Sequence, residues 1–425
     1  MFLKLILAKN SYKKLLFMPS HIKKCRNCKS KSIATLFDLG NLRFTGKFPK
    51  FGEKIPYGNL TLVMCKLCKL VQLREIFDMK YLYNKDYGYR TGINSTMKKH
   101  VSNVVNKLTK KSNIKNGDHV LDIASNDGTL LSNYNSKLLK WGIDPIIKKF
   151  KNEYKTINYK IPDFFDYKHI INKKKDVKFK IITALSVFYD LENPNKFLSH
   201  IKKVLDKDGI FYLEFQDLML ILKHNMFDTI CHEHLEYYSF TVINKILKKH
   251  SLRIFDHNYN DINGGSAAYF ICHENSNYKT NLKKLNNIIK NEKKIKIEEI
   301  STYIKFKKRI DKLRLNLNTV IKKIEKKGQT IHGYAASTKG NVLLQHYNIK
   351  NDNIKFISDR NPRKKNLYTP GSNIKIIAES ESRKMKPNYY LVLAWHFKKE
   401  ILLREAAIRR KGTKFIFPLP SVKVV

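Results

Sequence analysis

Apolar positions in the middle of the chain fall into short runs that alternate with segments of helical periodicity. Between residues 119 and about 275, the runs HVLDIA, KWGIDP, KIITALSVF and GIFYLEF have the character of strands. The stretches between these runs carry apolar residues at helical spacing. This succession predicts an α/β domain with a parallel, doubly wound sheet of the Rossmann type.

The pattern changes on both sides of this region. Residues 278–328 contain no Pro and no Gly before Gly328, which predicts one or two long amphipathic helices. A second alternation follows, with strands at TIHGYAAS, NIKFISDR, YYLVLAW and KFIFPLP, and it predicts a second Rossmann-like domain. We therefore expect a small module at 20–80, a central domain at 81–277, and a helical linker with a C-terminal domain at 278–425.

The chain carries a formal net charge of +47, but its basic residues are spread along the whole length. No compact basic stripe with interleaved aromatic residues is present, so we expect no nucleic-acid partner. A positive field also favours small anions such as nucleotide sugars. No apolar run reaches the ~20 residues of a membrane span, and we expect a soluble, cytoplasmic protein. Residues 1–17 would form a weak amphipathic helix, or a leader ahead of a second start at Met18.

Four of the six cysteines form two CxxC pairs, Cys25 with Cys28 and Cys65 with Cys68. Each turn can direct two thiolates at one zinc ion, and the two turns complete a tetrahedral site with no position open to substrate. A redox CxxC would need a following helix in a thioredoxin-like unit, and none is evident. The spacing predicts a structural zinc ion that stabilises a segment too small to fold on an apolar core alone.

The first strand of the central domain ends in a tight polar turn that we expect to open a helix. Its single glycine does not satisfy a dinucleotide fingerprint. About 20 residues later a second strand ends in an acid that can accept both ribose hydroxyls. This pair fits S-adenosylmethionine, which has a ribose but no pyrophosphate; an ordinary strand-turn-helix is the alternative. We expect Phe165 to flank the adenine and Ser186 to lie at the floor of the pocket. The candidate cofactor residues are Asp122, Ala124, Ser125, Asn126, Gly128, Asp144, Phe165 and Ser186.

Polar side chains are dense in the segment HEHLEYYS, which starts at His232. The spacing HExxH is absent, which weakens a metal interpretation, and a structural hydrogen-bond cluster is a second alternative. We favour acid-base chemistry, for which the ordinary pKa of histidine is suited.

The second Rossmann-like domain has its own loop of small residues, GYAASTKGN, between a strand and a helix. Small residues permit close approach of the backbone, and a lysine supplies a point charge for phosphate. A degenerate dinucleotide site and plain fold geometry are both consistent with this loop. The candidate substrate-binding residues are Tyr334, Ser337, Lys339 and Asn341.

The chain resembles the sugar C-methyltransferases of nucleotide-deoxysugar and surface-glycan biosynthesis, from Cys25 to about Pro420. The similarity is carried by CRNC…CKLCKLVQL, YGYRTGINSTMKKH, DIASNDGTLL, HEHLEYYS, NDINGGSAAY, GYAASTKGN, SDRNPRKKNLYTPGS and VLAWHFKKEI…FPLP. The resemblance implies a zinc module, an S-adenosylmethionine-binding Rossmann domain, and a C-terminal Rossmann-like domain that helps to hold a nucleotide sugar.

In that family the histidine matching His234 is the general base that removes a proton from a sugar carbon beside a ketone. Such a carbon acid needs a base and stabilisation of the oxyanion together. We expect the neighbouring carboxylate and imidazole of the HEH segment to fix the tautomer of His234 and raise its basicity. Glu233 and Tyr89 are candidates for orienting the base or binding the sugar, and His232 is the next candidate base.

Two departures from the family pattern lie on the substrate side of the pocket. Cys231 stands where the deoxysugar enzymes have Tyr, and Ser186 to Asp190 stand where they have Asn-x-x-x-His. An O- or N-methyltransferase acting on another small, sugar-phosphate-like acceptor is therefore the alternative function. A zinc-bearing nucleic-acid-binding protein with an inactive methyltransferase fold is a second, and the intact acids Asp122 and Asp144 argue against it.

Overall fold

The structure is a computed structural model that describes residues 20–77 and 89–425. The N-terminal segment that the sequence predicts as a helix or leader lies outside these residues, as does the start of the YGYR motif. Over the described ranges the strands form four sheets, of two, four, six and seven strands. None of the helices in this part of the chain is long and apolar enough to cross a membrane.

The N-terminal module is an antiparallel sheet that carries the two CxxC turns. Its strands pair in the order β11-β4-β3-β2, and β11 belongs by sequence to the central domain. The segment HEHLEYYS is therefore docked onto this module, which the sequence did not indicate. The strands are β1 Ser20–His21, β2 Ile33–Arg43, β3 Tyr57–Cys65, β4 Val71–Leu73 and β5 Glu75–Ile76, with β11 at Glu236–Tyr237.

The central domain is a seven-stranded sheet in the order β12-β13-β10-β9-β6-β7-β8. The five strands from β10 to β8 run parallel, and β13 is antiparallel to both of its neighbours. Buried apolar runs form these strands because both faces of the sheet are covered. The elements are α1 Ser95–Lys111, β6 His119–Ile123, β7 Leu139–Ile143, β8 Tyr159–Ile161, α2 Tyr167–Lys173, β9 Phe179–Leu185, α3 Pro194–Val204, β10 Leu205–Gln216, α4 Leu218–Lys223, α5 Phe240–Lys249, β12 Leu252–Asn260 and β13 Ser266–His273.

The helix predicted after the first central strand is not formed, and a 3₁₀ turn at Leu131–Asn133 follows β6 instead. The side chains of Ser132 and Asn133 donate hydrogen bonds to the carbonyl oxygen of Thr129 over 2.8 and 2.7 Å. Such local bonds compete with the backbone ladder of an α-helix. The prediction of a helix N-terminus at this loop was wrong, and the loop faces its ligand with backbone and side chains alone.

The C-terminal part begins with two long helices, as predicted, and continues as a six-stranded sheet in the order β16-β15-β14-β17-β18-β19. Its first five strands are parallel and β19 is antiparallel. The elements are α6 Leu282–Lys294, α7 Ile300–Glu325, β14 Ile331–Tyr334, α8 Thr338–His346, β15 Phe356–Asp359, β16 Lys375–Ala378, α9 Glu379–Lys384, β17 Tyr389–Val392, α10 Lys398–Arg404, α11 Ala406–Arg410, β18 Lys414–Phe417 and β19 Lys423–Val424. The predicted fold class, two Rossmann-like domains behind a zinc-binding module, is confirmed.

The three parts pack against one another close to the HEH segment. The carbonyl oxygen of Thr45, in the N-terminal module, accepts a 2.7 Å hydrogen bond from Nδ2 of Asn341 in α8. The ring of Phe37 lies 5.8 Å from that of Phe306 in α7. These contacts bring the first turn of α8 and the loop after β2 to the same side of the central domain.

Candidate active site

The four paired cysteines converge on one point in the N-terminal module. Sγ of Cys25 lies 3.6 Å from that of Cys68, and Sγ of Cys28 lies 3.5 Å from that of Cys65. All four sulfur atoms lie within 4.8 Å of one another. Zn–S bonds of ~2.3 Å in a tetrahedron separate sulfur atoms by about 3.8 Å, so the cluster fits one zinc ion. Its four sulfur ligands leave no position for substrate, and the role of the ion is structural.

The cofactor crevice is built from the ends of two adjacent parallel strands, β6 and β7. Ala124, Asn126 and Gly128 all have φ between 49° and 74°, which turns the chain back over the strand ends. The amide of Asn126 donates to Oδ2 of Asp144 over 2.9 Å. Oδ1 of the same carboxylate accepts a 2.9 Å bond from the amide of Ile146.

The carboxylate of Asp144 retains capacity for a ligand. Each of its oxygens accepts one backbone hydrogen bond, whereas an ionised carboxylate has about four acceptor positions. Burial raises the pKa of Asp144 to about 6 and that of Asp122 to about 7. Asp122 is held from the next strand by the hydroxyl of Thr183, which donates to it over 2.6 Å. The remaining acceptor positions of Asp144 are available to the ribose hydroxyls that the sequence predicts there.

A segment that sequence reasoning did not assign covers this crevice. The amide of Gly92 and Nε of Arg90 donate to Oδ2 of Asp127 over 2.8 and 3.1 Å. Oδ1 of Asn126 accepts from the amide of Thr91 over 3.0 Å. The arginine and glycine of the YGYRTG motif were the signal for these contacts. The segment from Arg90 to Gly92 is therefore anchored to the cofactor loop by the side chains of Asn126 and Asp127.

The other predicted cofactor residues contact their own neighbours in the central domain. The hydroxyl of Ser125 bonds to that of Tyr154 over 2.7 Å, which anchors the loop from below. Phe165 packs its ring against that of Phe197, 5.1 Å away. Ser186 follows β9 with φ of 55°, and its hydroxyl accepts a 3.3 Å bond from the amide of Asn263.

His234 lies in a pocket that fixes its protonation state. Nδ1 is 2.7 Å from the carbonyl oxygen of Thr229, which can only accept, so we assign the proton to Nδ1 and the free lone pair to Nε2. The ring packs 4.3 Å from that of Tyr189. Burial lowers the pKa of His234 to about 4, so the imidazole is neutral at physiological pH. A neutral imidazole with a free Nε2 is the proton-accepting form.

The neighbours of His234 do not act as predicted. His232 is fully buried between the rings of Phe44 and Phe77, 4.7 and 4.9 Å away, and burial lowers its pKa to about 4. Residues 232 and 234 diverge along the segment, and Thr229 rather than a neighbouring imidazole or carboxylate fixes the ring of His234. The expectation that the HEH neighbours orient His234 and raise its basicity was wrong, because burial lowers its basicity instead.

Glu233 joins the central domain to the N-terminal module. Its carboxylate contacts Thr45 and Gly46, and burial raises its pKa. A Cβ at position 46 would lie 1.9 Å from Oε1 of Glu233, so glycine is required there. Tyr89 lies at the cofactor cover, where its carbonyl oxygen accepts a 3.2 Å bond from Nδ2 of Asn126, and its side chain is half-exposed.

The predicted substrate residues of the C-terminal domain separate into two groups. Ser337 caps α8 through the amide of Gly340, and Asn341 and Lys339 lie in the buried contact with the other domains. Tyr334 instead points into the interior of its own domain, where its hydroxyl donates to Glu405 over 2.7 Å. The structure does not bring Tyr334 to the cleft.

A chain of hydrogen bonds connects the contact residue of His234, Thr229, to Ser186 at the end of β9. The hydroxyl of Thr229 donates a hydrogen bond to the side-chain oxygen of Gln216, at the end of β10. Nε2 of Gln216 donates to the carbonyl oxygen of Asn263 over 2.9 Å, and Asn263 in turn bonds to Ser186. His234 and the end of β9 are therefore parts of one polar network.

Sequence comparisons match the three parts in the same order. Residues 25–83 match a zinc binding domain, residues 93–256 a methyltransferase domain, and residues 261–420 the "C-methyltransferase C-terminal domain". The C-methyltransferase NovU of Streptomyces niveus is 26% identical over 416 residues, which cover 95% of this chain and 97% of that protein.

Solved structures align with less than half of the chain. An S-adenosylmethionine-dependent methyltransferase from Clostridium acetobutylicum ATCC 824 is 16% identical, with a TM-score of 0.34 over 41% of this chain and 92% of that one. Magnesium protoporphyrin IX methyltransferase from Synechocystis PCC 6803 is 17% identical, with a TM-score of 0.34 over 46% and 100%. The sequence comparisons are the more informative of the two sets.

Proposed function

Because the chain matches the methyltransferase domain and the C-methyltransferase C-terminal domain, we propose that it methylates a carbon next to the ketone of a nucleotide-linked deoxysugar or related glycan precursor. The observation that carries this proposal is the protonation state of His234, whose free Nε2 belongs to a neutral imidazole. A neutral imidazole with a free Nε2 can accept a proton from carbon, which is the general-base role that this reaction requires.

S-adenosylmethionine, when bound, supplies an electrophilic methyl group on sulfur. We propose that Asp144 accepts its ribose hydroxyls, while the backbone of the loop from Ala124 to Gly128 lies along the nucleoside. The segment with Arg90 and Gly92, which both bond to Asp127 of that loop, would limit the access of water to the site. Exclusion of water strengthens each polar interaction inside the site.

His234 performs the proton transfer in this proposal. Nε2 takes the proton from the sugar carbon, while Thr229 keeps the ring in the required tautomer through Nδ1. The network through Gln216 and Asn263 fixes the position of the base relative to Ser186, at the floor of the cofactor crevice. Burial raises the pKa of Glu233, and its Oε2 has no hydrogen-bond partner among the described residues, so this carboxyl group is suited to bond to a hydroxyl of the sugar.

A nucleotide substrate is supported by the C-terminal domain, which repeats the geometry of the cofactor crevice. Ala335 has φ of 69° after β14, and the amide of Ala336 donates to Oδ2 of Asp359 over 2.7 Å. Oδ1 of Asp359 accepts a 2.7 Å bond from the amide of Asn361. The same arrangement surrounds Asp144, and crevices of this kind at parallel strand ends bind nucleosides. The net charge of +47 favours a diphosphate ligand.

The four cysteines of the zinc cluster support a location in the cytoplasm. Cys25, Cys28, Cys65 and Cys68 serve as zinc ligands and must remain reduced thiolates, which favours the cytoplasm.

The accepting atom tests this proposal directly. The enzyme is incubated with S-adenosylmethionine carrying ¹³C in its methyl group and with nucleotide-linked 4-keto and 3-keto deoxysugars, and the product is examined by NMR. The proposal predicts that the labelled methyl is bonded to carbon next to the ketone. A labelled methoxy or N-methyl product would instead establish the alternative acceptor class.

A further inference from the structure

The ammonium group of Lys339 is enclosed where the C-terminal domain meets the central domain. Its side chain, in the first turn of α8, is only 11% exposed. Nζ donates to the carbonyl oxygen of Asn263 over 2.9 Å and lies 3.7 Å from Oδ1 of Asp228. It also lies 5.3 Å from the ring centre of Trp395. These contacts hold the charge in one place.

The two polar partners connect Lys339 to both sides of the reaction site. Asn263 bonds through its amide to Ser186, at the floor of the cofactor crevice. Asp228 directly precedes Thr229, whose carbonyl oxygen holds the base His234. Asp228 and Thr229 therefore connect the ammonium group to His234, and Asn263 connects it to Ser186.

This placement disagrees with the phosphate-binding role that the sequence predicted for Lys339. A phosphate-binding lysine presents an accessible point charge, whereas this one is nearly enclosed and already faces Asn263 and Asp228. An ammonium group has three N–H donors, so one donor remains for a ligand oxygen. Burial lowers the pKa of His234 and of His396, and the charge of Lys339 lowers both further, which is consistent with an ammonium group close to both rings.

We propose that Lys339 is a further catalytic residue, whose ammonium group hydrogen-bonds the carbonyl oxygen of the substrate while His234 takes the proton from the adjacent carbon. This inference rests on the proposed function. In this step the C–H bond breaks and an N–H bond forms at Nε2 of His234. The C–H electron pair becomes the C=C bond of the enolate, and the carbonyl π pair moves to oxygen as negative charge. Lys339 keeps its proton and stabilises that charge.

Solvent-deuterium exchange into the keto sugar isolates this step, because it needs no methyl transfer. Exchange is measured in D₂O with S-adenosylhomocysteine present, for the wild type and for Lys339→Met, Lys339→Gln and Lys339→Arg. Loss of one oxyanion donor lowers rates by ~10²–10³-fold, and we expect the Met and Gln variants to lose exchange to this extent while Arg retains more. Gln can still donate a hydrogen bond to the carbonyl oxygen of Asn263. This variant therefore distinguishes loss of the positive charge from loss of that hydrogen bond. Lys365→Met removes an exposed lysine of the same domain and should leave exchange unchanged.

Binding of S-adenosylhomocysteine and thermal melting establish that each variant is folded, and the Gln and Arg variants decide the result if Met does not fold. Exchange in Lys339→Gln within a fewfold of wild type would overturn the catalytic role. If the Lys339 variants exchange normally at saturating substrate but bind the nucleoside diphosphate more weakly, the role of Lys339 is phosphate binding and the catalytic role is overturned. Absence of exchange in the wild type, with continued methylation, would instead refute the proposed function.

Discussion

Nδ1 of His234 donates a hydrogen bond to the backbone carbonyl oxygen of Thr229 over 2.7 Å. Because a carbonyl oxygen has no proton to give, this bond selects a single tautomer and leaves Nε2 free to accept. Thr229 belongs to the turn at Phe227–Thr229, which also carries Asp228 beside Lys339. The same turn thus positions His234 and the ammonium group of Lys339.

The low pKa of His234 predicts an unusual pH profile. Burial disfavours the imidazolium and lowers the pKa to about 4, so the neutral, active form persists well below the ordinary value of ~6.5. With cofactor and substrate saturating, we expect kcat to remain level as pH falls from 8 to 6. A loss of kcat with an apparent pKa near 6.5 would show that the base is not buried as described.

Asp144 is expected to dominate the affinity for S-adenosylmethionine. Hydrogen bonds to a charged acceptor contribute ~1.5–3 kcal/mol each, so Asp144→Ala should weaken binding at least tenfold in calorimetry. Burial raises the pKa of Asp144 to about 6, and the ionised form is the better acceptor. Wild-type affinity should therefore fall as pH drops through this value. The exposed Asp352→Ala serves as control, and unchanged affinity in a folded Asp144→Ala variant would locate the ribose elsewhere.

The cysteine cluster predicts one zinc ion per chain. Cys28→Ala should lower the zinc content measured by elemental analysis and destabilise the N-terminal module more than it alters the methyl-transfer step, because four sulfur ligands leave no catalytic position. Cys272 lies outside the cluster, and Cys272→Ala should retain the ion. Freshly purified, reduced protein without zinc would contradict the assignment.

The strands and the two acids of the cofactor crevice could be predicted because they depend on local pattern. Buried parallel strands are apolar runs, and an acid at the end of the second strand is set by spacing along the chain. The partner of His234 could not be predicted in this way. Thr229 lies in a preceding turn whose position relative to the histidine depends on docking of the HEH segment onto the N-terminal sheet.

The burial of Lys339 is a second feature beyond the reach of local pattern. A lysine at the start of a helix ordinarily faces solvent, and this one is enclosed by tertiary contacts with Asp228, Asn263 and Trp395. The absence of an α-helix after β6, by contrast, has a local cause. Ser132 and Asn133 bond to the backbone of their own turn, a tendency that apolar periodicity alone does not register.

The most direct test of the central claim is deuterium exchange into the keto sugar by the wild type and by His234→Ala, with S-adenosylhomocysteine as the unreactive ligand. The account predicts exchange at the carbon next to the ketone in the wild type, slowed by ~10²–10⁴-fold in the variant while ligand binding is retained. Exchange that continues at the wild-type rate in His234→Ala would contradict the assignment of His234 as the base.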